Sequence, residues 1–165
     1  MTVMEAIESR RSIRKYSERP VEREKLQQIA EAMRQGPSAR NRQEWRFIFV
    51  EDAAKRAEIS KASGIPWLSG APVILAACGT FCEVMTNGHR SDTIDTSIAA
   101  SFGMLEATEL GLGTTWMAHY KEPEVREILD LPDSMSIVCL LSIGYSAEDG
   151  HPHDRKSAED IVEYR

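Results

Sequence analysis

The chain has 165 residues, of which 42% are hydrophobic and 28% are charged, a mixture typical of one globular domain. Twenty Lys and Arg against 26 Asp and Glu give a net charge of −6, which argues against a protein that wraps nucleic acid. No signal-peptide pattern opens the sequence, and the longest apolar run, residues 72–78, is too short to cross a bilayer, so we expect one cytoplasmic domain covering residues 1–165.

The first half of the sequence predicts three helices, two strands and one extended segment. In chain order they are a short helix, an extended segment, an amphipathic helix, a strand, a helix and a buried strand, at residues 4–11, 12–20, 22–35, 45–50, 53–61 and 73–77. The amphipathic helix is the clearest, because Leu26, Ile29 and Met33 share one face and Gly36-Pro37 ends it.

The second half begins with a polar stretch at residues 81–91, where Asn87-Gly88 predicts a loop. The longest helix follows at residues 93–110, with Asp92 as its N-cap and with apolar residues at helical spacing: Ile94, Ile98, Phe102, Leu105 and Leu110. A strand, a helix, an apolar strand and a last short helix follow, at residues 114–117, 122–129, 136–145 and from 157 onward. The pattern predicts an α+β domain with about four short strands, because strands and helices do not alternate as in a doubly wound sheet.

A basic cluster lies where the first helix gives way to an extended segment. Residues 10–15, Arg-Arg-Ser-Ile-Arg-Lys, place four positive charges within six positions. Arginine forks bind a phosphate monoester bidentately, and Ser12 adds a hydroxyl group, so the cluster could hold a phosphate. Charge alone favours the alternative, a solvated surface patch that pairs with nearby carboxylates.

The segment between the second helix and the first strand, residues 36–45, is rich in side chains that both donate and accept hydrogen bonds. Ser38, Asn41 and Gln43 could bind the edge of a flat heteroaromatic ring. Ordinary turn chemistry, in which Ser and Asn bond to the local backbone, explains the same residues when they are taken alone.

Gly111-Leu112-Gly113 is not a dinucleotide-binding turn, since a helix precedes it, a strand follows it and the third glycine is missing. The pattern predicts a helix C-cap that leads directly into a strand. Backbone groups at the far end of that strand, residues 116–119, could still face a ligand.

The remaining reactive side chains suggest no separate catalytic or metal site. Three cysteines without CxxC spacing argue against a disulfide framework or a zinc site, and Cys78 and Cys139 lie in apolar strands where thiols are inert. His151 and His153 have no third metal ligand nearby. Arg155-Lys156 could be a second phosphate contact or plain surface charge.

Taken together and in this order, the motifs resemble those of the nitroreductase-like FMN-dependent oxidoreductases over almost the whole chain. The matching segments are RRSIRKY at residues 10–16, Pro20-Val21, PSARNRQEW at 37–45, Ala71-Pro72, GLGTTW at 111–116, and Gly144-Tyr145 with Arg155 beyond it. The resemblance implies a mostly antiparallel sheet of four to five short strands surrounded by helices, in a domain-swapped homodimer with FMN at the subunit interface.

The resemblance also implies which residues bind FMN. Arg10, Ser12 and Arg14 would hold the phosphate and the polar edge of the ring, with Arg11 nearby, and Arg155 would complete the phosphate site, with Lys156 as a further candidate. Arg14 would stabilise negative charge on the reduced ring. The partner subunit would contribute Pro37, Ser38, Asn41 and Gln43. Trp116, Met117 and Ala118 would run along the flavin, with a backbone N–H near Ala118 bound to N5. No protein residue need act as nucleophile or acid.

The implied activity is a ping-pong reductase in which NAD(P)H reduces FMN and a nitroaromatic, quinone or similar acceptor then takes the electrons. Other hypotheses are a flavin enzyme for dehydrogenation or reductive removal of a substituent, a non-enzymatic flavin-binding protein, and a flavin-free interaction domain. Glu44 replaces the usual proline before Trp45, Arg40 and Arg42 enlarge the basic loop, and residues 82–91 form a short segment where longer relatives cover the active site. These departures leave the acceptor open.

Overall fold

A four-stranded antiparallel sheet organises the computed structural model, which describes residues 1–152 and 154–165. The strands are β1 (Trp45–Val50), β2 (Val73–Gly79), β3 (Gly113–Met117) and β4 (Ser136–Gly144), and their order across the sheet is β1-β2-β4-β3. β2 is buried at every position because it lies inside the sheet and helices cover both faces.

The sheet divides the core into two layers, and helices cover the layer on each face. The helices are α1 (Val3–Ser9), α2 (Arg23–Arg34), α3 (Ala53–Ser63), α4 (Ser91–Glu109), α5 (Glu122–Ile128) and α6 (Ala158–Ile161). Alternate residues of β2 enter the two layers: Leu75 packs with α2 and α4, and Ile74 packs with α3 and α5. No helix in the described part of the chain is both long and apolar enough to span a membrane.

Most predicted elements occur close to their predicted positions, with two local differences. α1 ends at Ser9, two residues early, because Arg10 adopts an extended ψ of 128° that lets Ser12 form a bridge with Thr114. The segment predicted as a loop is a closed turn, in which Val84 pairs with Arg90 and the Met85 N–H donates to the His89 carbonyl at 2.8 Å.

The prediction that Asp92 caps α4 is wrong. The helix begins at Ser91 with Arg90 at the N-cap position, and the Asp92 side chain, 2% exposed, turns into a polar cluster at the end of the sheet. There it accepts hydrogen bonds from the Arg90 guanidinium at 2.7 Å and from the Ser136 hydroxyl at 2.7 Å. Asp92 therefore joins the start of α4 to β4, and it also accepts the N–H of Thr93, in the first turn of the helix, at 2.8 Å.

The charge on Asp92 is expected to stabilise the fold. Burial favours the neutral acid, but the hydrogen bonds from Arg90 and Ser136 outweigh burial and lower the Asp92 pKa from 3.8 to about 2. A folded-state pKa below the unfolded value gives stability that is present above pH 3.8 and is lost as the pH falls towards 2, an effect of about 2 kcal/mol. Asp92→Asn should therefore lower the free energy of unfolding in urea at pH 7, and the deficit should shrink near pH 2. The exposed Asp133→Asn is the control, and a deficit that is equal at both pH values would contradict this account.

The buried face of α4 is not the face with the largest apolar residues. Small and polar residues face the protomer core, among them Thr96, Ala99, Gly103 and Ala107. Phe102, which lies outside this buried face, is 40% exposed, and α1, which packs on α4, exposes Val3, Met4 and Ile7. We call these four residues the α1–α4 apolar surface.

Gly113 lets the segment after α1 lie directly against β3. A Cβ atom at this position would lie 2.6 Å from Cγ1 of Ile13, whose own N–H donates to the Thr114 carbonyl at 3.0 Å. Gly113→Ala should therefore lower the free energy of unfolding by roughly 1–3 kcal/mol, the usual cost of overpacking a core. Gly70→Ala is the matched control, since no atom lies within 4 Å of the added methyl group. Equal urea denaturation midpoints for the two variants would refute the prediction.

Candidate functional site

Three arginines predicted to bind phosphate lie close together. Arg10 is the C-cap residue of α1 and is partly buried, and Arg11 follows it. Burial first, and then the positive charges of Arg155 and Arg11, lower the pKa of Arg10. The positive charges of these neighbouring arginines add up to a positive potential, which a bound anion would neutralise.

The turn before Arg155 is packed against the start of this cluster. Gly150 adopts a φ of 72°, and a Cβ atom there would lie 2.7 Å from Cβ of Arg11 and 3.0 Å from Cδ1 of Ile13. The fold thus joins residues from the two ends of the chain, 145 positions apart for Arg10 and Arg155. Lys156 is exposed next to Arg155.

The segment that contains Ser12 and Arg14 is held between β3 and the chain beyond β4. Ser12 is half-buried and pairs with Thr114, and Tyr16 pairs with Ser146. The Tyr16 hydroxyl lies 2.6 Å from the Ser142 hydroxyl, and burial raises the pKa of Tyr16 to about 12, so this contact stays neutral. The Arg14 side chain remains exposed.

Glu148 holds the backbone of the same segment. Its carboxylate accepts the Arg14 N–H at 2.6 Å and the Lys15 N–H at 3.2 Å. The Arg14 hydrogen bond is the main reason that the pKa of Glu148 is lowered, so the carboxylate is ionised near neutral pH. Sequence reasoning missed Glu148 because a contact across 134 residues leaves no local pattern.

Residues 37–43 form an exposed loop between α2 and β1. Arg40, Asn41 and Gln43 have φ values of 54°, 54° and 57°, a left-handed conformation that is unusual for residues other than glycine. The Ser38 hydroxyl accepts the Gln43 N–H at 3.0 Å. This is ordinary turn chemistry, in which a serine side chain bonds to the local backbone. The Asn41 side chain points outward on the exposed part of this loop, where it is accessible to a ligand.

The end of β3 presents backbone rather than side chains. Met117 is buried among apolar residues on the α3 and α5 side, and Trp116 is half-buried against the α2 and α4 side. Ala118 is exposed immediately after the strand. It lines a cleft of about 530 Å³ whose other lining residues include Lys61, His119 and Lys121.

Within one chain the predicted site falls into two halves. Ser12 pairs with β3, whereas residues 37–43 lead into β1, and β2 and β4 lie between these edges. Three strand spacings separate the two edges by roughly 14 Å. The arginine cluster and β3 come together in one protomer, and residues 37–43 do not join them.

Within the part of the chain that the structure describes, the buried thiols and the histidines form no competing site. Burial raises the pKa of Cys78 to about 12 and also raises that of Cys139, which keeps both thiols protonated and inert. Among the residues that the structure describes, no group of His, Cys, Asp and Glu could hold a metal ion. His151 is exposed, and His153 lies outside the described residues.

Comparison with known proteins identifies the family of this chain. The family model of the Nitroreductase family matches residues 7–73 and 66–145. The protein named FMN reductase (NAD(P)H) in Bacillus subtilis is 33% identical over 94% of this chain and 68% of its own length. The NADH dehydrogenase of Thermus thermophilus is 31% identical over 94% of this chain and 92% of its own.

Solved structures agree. A nitroreductase family protein from Clostridium difficile 630 superposes with a TM-score of 0.88 at 32% identity, covering 99% of this chain and 98% of that one. The predicted α+β class and nitroreductase-like fold are confirmed. The chain belongs to the nitroreductase family.

Proposed function

We propose that the protein is an FMN-dependent oxidoreductase that uses NAD(P)H to reduce a small acceptor. The convergence of Arg10, Arg11 and Arg155 is the observation that carries this proposal. Three guanidinium groups suit a phosphate monoester, which brings nearly two negative charges and three acceptor oxygens. The names of relatives, FMN reductase (NAD(P)H) and NAD(P)H nitroreductase, support the same cofactor and electron donor.

The FMN site is proposed to need two copies of the chain. One chain would supply the arginine cluster, Ser12, Arg14 and the backbone of residues 116–118, and the partner would supply Pro37, Ser38, Asn41 and Gln43. Two observations support this arrangement: the halves lie at opposite edges of the sheet, and the α1–α4 apolar surface is exposed. The C-terminal segment is also suited to contact a partner, because Ile161 and Tyr164 are 67% and 94% exposed.

The side chains of the site bind and orient; they do not transfer protons. When bound, FMN supplies the hydride and electron transfer. The arginines would hold its phosphate, Ser38, Asn41 and Gln43 of the partner subunit would bond the ring edges, and Arg14 would offset negative charge on the ring. The cleft beside Ala118 has the volume of a small-molecule site, and we place the acceptor there.

The order in which the substrates bind and the class of acceptor are also part of the proposal. Nicotinamide and acceptor would use the same cleft in turn, which gives ping-pong kinetics with a nitroaromatic, quinone or similar acceptor. Use of the flavin for dehydrogenation or for reductive removal of a substituent stays an alternative prediction, as does non-enzymatic flavin binding. A cytoplasmic location also stays a prediction.

Anaerobic bleaching of the flavin tests the proposal. The purified chain should take up FMN, turn yellow, and lose its visible absorbance when NADH or NADPH is added without oxygen. Acceptors added afterwards one at a time should restore the colour at rates that rank them. Protein that takes up no FMN would refute the whole proposal, and yellow protein that neither nucleotide bleaches would leave only the other flavin functions.

A further inference from the structure

Residues 37–43 have a backbone that their own sequence does not favour. Three of the four residues from Arg40 to Gln43 are left-handed without being glycine. Such a backbone persists only where surrounding contacts hold it, and it is common where side chains must be presented to a ligand. The structure contains two carboxylates that hold it, one at each half of the loop.

Asp95 holds the first half. Its Oδ2 atom, on α4, accepts the backbone N–H of Ala39 at 2.9 Å, immediately after Ser38. Asp95 is half-buried and α4 is the longest helix of the chain, so this contact fixes the loop to a rigid element. A charged acceptor strengthens such a hydrogen bond relative to a neutral one.

Glu83 holds the second half. Its Oε2 atom lies 3.0 Å from the Arg42 guanidinium and 3.6 Å from that of Arg40, the two residues on either side of Asn41. The guanidinium of Arg42 also lies over the ring of Phe81, 5.3 Å from its centre.

The backbone of Glu83 is fixed in turn. Its N–H donates to the Ser91 hydroxyl at 2.9 Å, and its carbonyl accepts the Ser91 N–H at 2.9 Å. Both carboxylates are therefore supported by α4, one directly and one through its first residue.

We propose that Asp95 and Glu83 are positioning residues that preform the 37–43 loop for the flavin of the partner subunit. This inference rests on the proposed function and deepens it. Neither carboxylate touches the flavin. They fix the left-handed backbone before the flavin binds. Ser38, Asn41 and Gln43 can then contact the ring without a further loss of conformational entropy in the loop. Glu83 also pairs with Arg40 and Arg42, the two arginines of this loop.

Hydrogen exchange in the flavin-free chain tests the first half of the inference. Asp95→Ala and Glu83→Ala should each raise exchange in residues 38–43 about tenfold, because the loop loses one of its anchors. Glu51→Ala is the matched control, since Glu51 also forms a surface ion pair, with Arg23 at 2.9 Å, but lies at the other end of β1. Unchanged exchange in both loop variants would overturn the inference.

FMN titration tests the second half. Each loop variant should raise the FMN dissociation constant about tenfold and alter the visible circular dichroism of the bound flavin, while Glu51→Ala changes neither. Asp95→Asn should recover most of the affinity, because an amide oxygen can still accept the Ala39 N–H. A merely structural role would lower the melting temperature without moving the flavin spectrum.

The outcomes separate this inference from the proposed function. A wild-type chain that takes up no FMN would refute the proposed function, whatever exchange shows about the loop. Wild-type uptake with faster exchange but unchanged FMN affinity in the variants would overturn the positioning role alone.

Discussion

Arg10→Ala should weaken FMN binding by roughly 50-fold, the largest loss expected from a single side chain in this protein. Hydrogen bonds to a charged phosphate contribute about 1.5–3 kcal/mol, and one order of magnitude in affinity corresponds to 1.4 kcal/mol. Arg10 is partly buried, as is Arg11, so water screens its charge less than that of the exposed Arg155. Fluorescence titration of FMN measures the loss directly.

Two further variants make this result interpretable. Arg155→Ala removes an exposed member of the same cluster and should weaken FMN binding with no loss of stability in the flavin-free chain. Arg23→Ala removes an arginine whose partner is Glu51, far from the cluster, and should leave affinity unchanged. If Arg10→Ala and Arg155→Ala both retain wild-type affinity, the phosphate site lies elsewhere.

Phe102→Glu should convert the protein to a monomer at micromolar concentrations and abolish FMN retention in the same step. Phe102 belongs to the α1–α4 apolar surface, and a second copy seated there would bury the new carboxylate without a partner. The penalty of several kcal/mol corresponds to a rise of roughly a hundredfold or more in the dimer dissociation constant. FMN would be lost as well because, in the proposed arrangement, each site needs the loop of the partner.

Light scattering and flavin absorbance after gel filtration measure the two effects together. Ala57→Glu adds the same charge at an exposed position of α3, on the other face of the sheet, and should leave the dimer yellow. A Phe102→Glu monomer that retains FMN would contradict a shared site. A wild-type chain that is already monomeric would contradict the dimer.

The strands could be predicted from the sequence because each is a short run that is apolar or rich in β-branched and aromatic residues, bounded by turn residues. The predicted 45–50 strand matches β1 at both ends. The periodicity of α4 was less informative, since this helix carries apolar residues outside its buried face as well as on it. The small residues face the protomer core and Phe102 faces outward, so pattern alone does not tell which face is internal.

The candidate site was accessible to sequence reasoning only in part. The arginines stood out by charge, and the motif order supplied residues 37–43 and 116–118. The carboxylates that support them, Glu83, Asp95 and Glu148, did not stand out, because each acts across many residues and the chain contains 26 acidic residues. Their roles follow from tertiary contacts, which no local window contains.

The packing of Gly150 against Arg11 has a consequence for how the enzyme matures. The proposed phosphate site joins Arg10 and Arg11 to Arg155, which lies 145 positions after Arg10, so a nascent chain cannot load its cofactor until Arg155 has been synthesised and the turn at Gly150 has packed. The newly made protein must therefore persist for a time without flavin. Ligand linkage then stabilises only the finished fold, and flavin supply during synthesis should influence how much folded protein accumulates.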